Sequence, residues 1–318
     1  MRIISIALVA DADRKMDDLC LLKRMSLDSR IIAATSLLNL IYVITENSDT
    51  VFIYFCCPPY KLKGTVRIPK MNPTDVATSY ADVCVYLLDS KNMCIWRIHR
   101  NLKKTNYPLD VSPGDVLKSM SITKKGVIVV VQNENQIMMF NPVTKETKHV
   151  SLEGVLEDGA SILHATEIGE NRLLACHNTQ TFVYDFGSTE LCRFMNHGGQ
   201  HISLKNSGCA TIADKTRHRV WTLDVEKWKI NGEIGGVTNP TYVHYAVENG
   251  LLFVAWSSYL DVYSFDQIDK ESHLADIESE PQHQQESAMS LYGKFCRVPV
   301  YWYYGFEAIF LIVLTIKV

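Results

Sequence analysis

The chain has 318 residues, 47% of them hydrophobic and 21% charged, with a formal net charge of −3. That balance is ordinary for a soluble protein. It allows one large domain with a substantial core and speaks against a general nucleic-acid binder, while leaving room for a local basic face. The nine cysteines are odd in number and show no C-x-x-C and no zinc spacing, which suits a reducing compartment and a cytoplasmic protein.

Residues 1–18 are read as an N-terminal extension. Arg2, the apolar run behind it and Ala10-Asp11-Ala12 imitate a short signal peptide, with an N-terminal strand or a ragged end as the other reading. Next, Lys23-Arg24-Met25-Ser26-Leu27 follows the pattern of Lys148-His149-Val150-Ser151-Leu152 and, more loosely, of Thr65-Val66-Arg67-Ile68. Those two segments sit where outer strands belong. An outer-type strand ahead of all others can pair with the last sheet and close a ring. An amphipathic helix over 14–25 is the competing reading, since Met16, Leu19, Cys20 and Lys23 permit it.

Six similar units follow, over about 29–268. Each carries, ahead of its polar hairpin, an apolar run that is read as the inner strand: Ile41–Ile44, Val85–Leu88, Val127–Val131, Leu173–Cys176, Ala210–Ala213 and Leu252–Ala255. A polar hairpin comes next, the sixth being Ser257-Ser258 extended through Asp261. A third strand, rich in aromatic and β-branched residues, starts at Val51, Ile95, Ile137, Phe182, Val220 and Val262, at gaps of 44, 42, 45, 38 and 42. A period near forty with several strands per unit predicts propeller blades, because one such sheet cannot cover both its faces alone. A β-sandwich is the alternative. The fold class is therefore all-β: a six-bladed β-propeller closed by an N-terminal strand, with a C-terminal tail.

Within the second unit, Arg97, Arg100, Lys103 and Lys104 form a possible basic surface patch, most simply a solvated loop over 100–107. The fourth unit, 160–196, is the least regular. Residues 269–297 are polar and read as a disordered linker. The hydrophobic segment 298–318 holds an 18-residue stretch, 299–316, that reaches the lower limit for a membrane span but carries Glu307 near its middle. Membrane association through this end is one expectation and packing on the propeller another.

The segment Ala213-Asp214-Lys215-Thr216-Arg217-His218-Arg219-Val220 resembles the NHL repeat, in which an Ala-Asp pair precedes a polar hairpin and an Arg-Val. Leu88-Asp89 keeps the same offset to Ile95. Pro73-Thr74-Asp75-Val76-Ala77 and Pro240-Thr241-Tyr242-Val243 resemble the start of such a repeat. Elsewhere the pattern departs, with Gln132, His177 and Trp256 near the place of the Asp. The resemblance is to divergent NHL-like propellers, such as those attached to tripartite-motif ubiquitin ligases.

No catalytic, cofactor or metal set assembles from the sequence. P-loop, G-x-G-x-x-G and nucleophile-elbow patterns do not occur. His197 and His201 are placed on a rim loop, where two histidines could hold a metal, with no third ligand in view. Asp75 and Asp89 read as repeat residues bracing hairpins, and Cys56-Cys57-Pro58-Pro59 as a turn. The expected function is a non-catalytic scaffold, a monomeric propeller presenting its rim to a protein or peptide. The alternatives are a calcium-dependent lactonase-type hydrolase and an RNA-binding propeller, the latter using the basic patch.

Overall fold

The computed structural model describes residues 19–156, 160–206, 208–235 and 237–264. All of these belong to the first of two compact units, Met1–Gln267 and Ile268–Val318. The expectations for 1–18, 269–297 and 298–318 lie outside the described residues. Among the described residues no helix is long and apolar enough to cross a membrane.

The chain forms six four-stranded antiparallel sheets. Blade one is β2 to β5 (Ile31–Leu37, Leu40–Thr45, Thr50–Phe55, Leu62–Arg67). Blade two is β6 to β9 (Pro73–Ser79, Cys84–Asp89, Cys94–His99, Lys104–Pro108). Blade three is β10 to β13 (Leu117–Ile122, Ile128–Gln132, Gln136–Phe140, Thr147–Ser151). Blade four is β14 to β17 (His164–Gly169, Arg172–Cys176, Thr181–Asp185, Glu190–Met195). Blade five is β18 to β21 (His201–Asn206, Cys209–Asp214, Arg219–Asp224, Lys229–Ile234). Blade six joins β22 to β24 (Tyr242–Ala246, Leu251–Trp256, Tyr259–Ser264) to β1 (Cys20–Ser26). The first strands touch in cyclic order β2, β6, β10, β14, β18, β22 and back to β2, so they surround the axis.

Burial explains the sequence pattern. The apolar runs form the second strands, and β7 and β11 are buried along their whole length because neighbouring blades cover both faces. These runs are one step out from the axis; the strands lining it are the first ones, which mix polar and apolar residues. Outer strands are exposed, as in β13, where only Val150 is buried.

The closing strand is present. Residues Cys20 to Ser26 of β1 pair antiparallel with Ser264 to Tyr259 of β24. The backbone amides of Leu27 and Ile31 extend the seam to Ser258 O (2.9 Å) and Ser257 O (2.7 Å). Arg24 grips the buried carboxylate of Asp261 with two hydrogen bonds, of 2.7 and 2.9 Å, and lies over the Trp256 ring. Over its described part the helix alternative fails, because these backbone groups are committed to the ladder.

Two details differ from the sequence reading. In blade six the counterpart of Val51 and Val220 is Leu260, which pairs with Ala255 as they pair with Ile44 and Ala213. The last gap is therefore 40 rather than 42, because the hairpin is only Ser257-Ser258 and Asp261 is already in the strand. The supposed loop over 100–107 is half strand, since β9 begins at Lys104.

The Asp of the NHL-like motif has a visible task. Asp89 Oδ1 accepts the Asn92 amide (3.2 Å), and Asp214 Oδ1 accepts the Arg217 amide (3.0 Å), so each carboxylate caps its hairpin turn. Blades four and six use other braces. The Thr179 amide donates to His177 Nδ1 (3.4 Å), and the Trp256 indole donates to Asp261 (2.9 Å).

Candidate functional site

The first strands bring together residues far apart in sequence. Asp75 lies on β6, and His164, His201 and Tyr242 each open the first strand of blades four, five and six. One carboxylate oxygen of Asp75 and one ring nitrogen from each histidine lie within 4.8 Å of one another, and all three residues are buried. The His201 ring is sandwiched, with centroids 3.9 Å from His164 and 3.8 Å from Tyr242.

Local structure accounts for each placement. Asp75 Oδ2 accepts the Met120 amide of blade three, and Oδ1 accepts the Val76 amide, both at 2.7 Å. Tyr242 donates its hydroxyl to Val76 O across the axis (2.8 Å). His201 is delivered by Gly198-Gly199. A Cβ on Gly198 would sit 2.2 Å from the Asn178 carbonyl, and one on Gly199 2.3 Å from Ile212 Cγ2. Only glycine lets this segment lie so close to its neighbours. Gly199 N then donates to His177 O (2.9 Å) and Gln200 N to Ala213 O (2.7 Å), which starts β18.

The electrostatics are those of buried groups. Burial pushes the Asp75 carboxyl up to about 7, against the pull of the Met120 and Val76 amides. Burial holds His164 down to about 3 and His201 well below the usual range, where the neighbouring His164 and His244 add to the effect. His244, two residues beyond Tyr242 on β22, is pushed down to about 4 by burial, although its side chain keeps some contact with solvent. Both ring nitrogens of His164 and of His201 lack a hydrogen-bond partner of ordinary geometry; the Met120 and Val243 backbones offer only weak stabilisation of the protonated rings. With at most one weak backbone partner per ring, burial of these imidazoles is costly, because their lost hydration is poorly replaced.

Several expectations change here. His201 is on a strand at the axis rather than on a rim loop, and it does not work with His197, whose Nδ1 instead meets Arg219 at 2.9 Å. The third group that the sequence did not supply is Asp75, with His164 beside it. Asp75 braces no hairpin, whereas Asp89 does. The one available signal was positional: His, His and Tyr occupy the first residue of the first strand in three consecutive blades.

The four basic residues differ in setting. Arg97 is turned inward, with its guanidinium 2.8 Å from Asp82 and 3.1 Å from Cys84 Sγ. Lys104 donates to Arg67 O (2.9 Å), while Arg100 and Lys103 are exposed at the turn before β9. Cys94 and Cys176 are buried thiols in strands, behaving as small apolar groups, whereas the buried Cys84 thiol sits among polar partners, Arg97 and Asp82 O.

Neither a family model nor a curated protein matches the chain. Among solved structures, the WD40 β-propeller domain of Doa1 superposes with a TM-score of 0.60, over 78% of this chain and 97% of that one, at 12% identity. The chain is a six-bladed β-propeller. At that identity the likeness shows the fold alone.

Proposed function

We propose that this propeller is a non-catalytic scaffold that binds a protein partner along the outer edge of blade four. The observation that carries the reading is β17. Its residues are exposed nearly throughout, and it presents Leu191 (43% exposed) and Phe194 (59%) on the outer edge of its sheet. The corresponding strand of blade three, β13, is Thr-Lys-His-Val-Ser, with its one apolar residue buried. The edge is held rigidly to blade five: the Trp228 indole donates to Phe194 O (3.0 Å), and Arg193 donates to Val225 O and Glu226 O (3.1 and 2.7 Å). A fixed outer strand with an exposed aromatic and an exposed aliphatic side chain suits apolar contact with a partner protein. The resemblance of the blade-two and blade-five hairpins to the NHL repeat supports the same reading.

The donor chemistry at the axis does not favour the lactonase alternative. Calcium takes oxygen ligands, whereas two of the three converging groups here are imidazoles. The RNA alternative loses Arg97, leaving a smaller positive surface than the sequence implied.

The test is site-specific photocrosslinking in cells, with the probe at position 194 and, as a control, at position 148 on β13. The reading expects one protein adduct from 194, absent from 148 and lost from the probe at 194 when Leu191→Asp is added. Equal adducts from both positions, or a nucleic-acid adduct, would overturn it.

A further inference from the structure

The geometry points to a site for one divalent first-row transition ion of the zinc class at the propeller axis, held by His164, His201 and Asp75. This goes beyond the scaffold reading, which concerns the outside of blade four. Two independent observations meet here. The three donor atoms lie within 4.8 Å of one another on strands of blades four, five and two. The imidazoles are 1% and 7% exposed, and no ordinary hydrogen bond occupies their ring nitrogens. Native structures rarely leave buried ring nitrogens without a partner, and a metal ion is a partner that needs none of the space of a side chain.

Donor chemistry selects the class of ion. Two imidazoles and one carboxylate suit zinc or its first-row neighbours far better than calcium or magnesium, which prefer oxygen. Tetrahedral ligation with bonds of about 2.0–2.1 Å places donor atoms about 3.3 Å apart, so donors that lie within 4.8 Å of one another need close by at most about 1.5 Å. Asp75 is already oriented for the task. The Met120 and Val76 amides each take one lone pair of its oxygens and leave others free, the kind of support that ligating carboxylates receive. Tyr242, bonded to Val76 O, packs against the His201 ring with centroids 3.8 Å apart. Three protein ligands leave a fourth position for water. The ion would tie three blades together at the point where their first strands meet.

The test uses the whole chain, stripped with chelator and titrated with cobalt(II) as a spectroscopic stand-in, followed by zinc competition and X-ray absorption of the zinc form. One equivalent of cobalt with visible d–d absorption, displaced by zinc, is expected, and the absorption edge should report two imidazoles and oxygen ligands. His164→Gln and Asp75→Asn should each weaken binding by roughly 100-fold, while His218→Gln, on an exposed hairpin, should leave it unchanged. Failure to take up cobalt, a zinc spectrum without imidazole, or unchanged affinity in folded His164→Gln overturns the assignment. Should the axial variants not fold, the wild-type absorption spectrum decides alone.

Discussion

Cutting the ion pair that fastens the first strand to the last blade should open the ring. Arg24 makes two hydrogen bonds to Asp261, whose side chain is wholly buried, and its guanidinium stands 4.8 Å from the Trp256 ring centroid. Removing Arg24 leaves a buried carboxylate with the Trp256 indole as a remaining donor at 2.9 Å. Loss of one partner of a fully buried pair costs about 3–5 kcal/mol. Here the Arg24 side chain is 45% exposed, so water replaces part of the interaction. With that discount, Arg24→Ala should cost about 1–3 kcal/mol, including about 0.5–1 kcal/mol of cation–π contact. Asp261→Ala removes the buried charge itself and should cost less. The double mutant should therefore be more stable than the sum of the single changes by about 1–2 kcal/mol. Urea unfolding followed by tryptophan fluorescence measures the cycle, since Trp256 sits at the seam. A control is Arg67→Ala: Arg67 meets Asp49 within blade one, is 74% exposed, and should matter by less than about 0.5 kcal/mol. Additive effects at the seam, or an Arg67 effect as large as that of Arg24, would refute the claim that this pair closes the ring.

Other outcomes follow from the axis and its supports. Gly198→Ala drives a Cβ to 2.2 Å from backbone atoms of Asn178, so the variant should be insoluble or lose several kcal/mol in chemical unfolding, whereas Gly64→Ala, with open space around it, should lose about 1 kcal/mol or less. Tyr242→Phe keeps the stack on His201 but removes the buried 2.8 Å bond to Val76 O, and calorimetry should show a loss of about 1–2 kcal/mol. His244 Nε2 accepts the Ser36 amide at 3.2 Å, a bond that the neutral ring makes and a ring protonated there cannot. Its pKa is depressed from 6.5 to about 4, so its contribution is present above pH 6.5 and is lost as pH falls from 6.5 towards 4. The ceiling is about 3 kcal/mol, and partial solvent contact brings it nearer 1–2 kcal/mol. Stability profiles should show this acid limb in wild type and a shallower one in His244→Gln; parallel profiles would remove His244 from the account.

The blades were legible because each repeats one physical problem: a second strand covered on both faces, then a tight polar turn. Val85 to Leu88 and Ala210 to Ala213 announce that burial directly. The closing strand was legible for a related reason, since a half-exposed pattern ahead of the first blade has no other sheet to join. The sixth third strand was misplaced because a two-residue hairpin carries too little polar sequence to mark its end. The axial cluster was opaque. Asp75, His164 and His201 are separated by whole blades, and no spacing rule for metal or catalytic motifs spans such distances. Arg97 misled in the opposite direction: beside three basic neighbours it read as part of a positive surface, whereas Asp82, fifteen residues earlier, takes its charge inward.

The contrast between the second and first strands locates what the fold needs and what it leaves open. Ring assembly requires apolar second strands, and every blade supplies one. At the axis stability sets weaker demands, because six first strands converge there and backbone pairing is already satisfied within each sheet. An apolar axis would have been less costly than one holding a carboxyl pushed up to about 7 and two imidazoles without ordinary partners. The chain nevertheless also commits to that axis two glycines that tolerate no side chain and a tyrosine bonded across blades. Residues that oppose the stability of a core, supported by residues that hold them in place, are what the proposed ion site at the axis would account for.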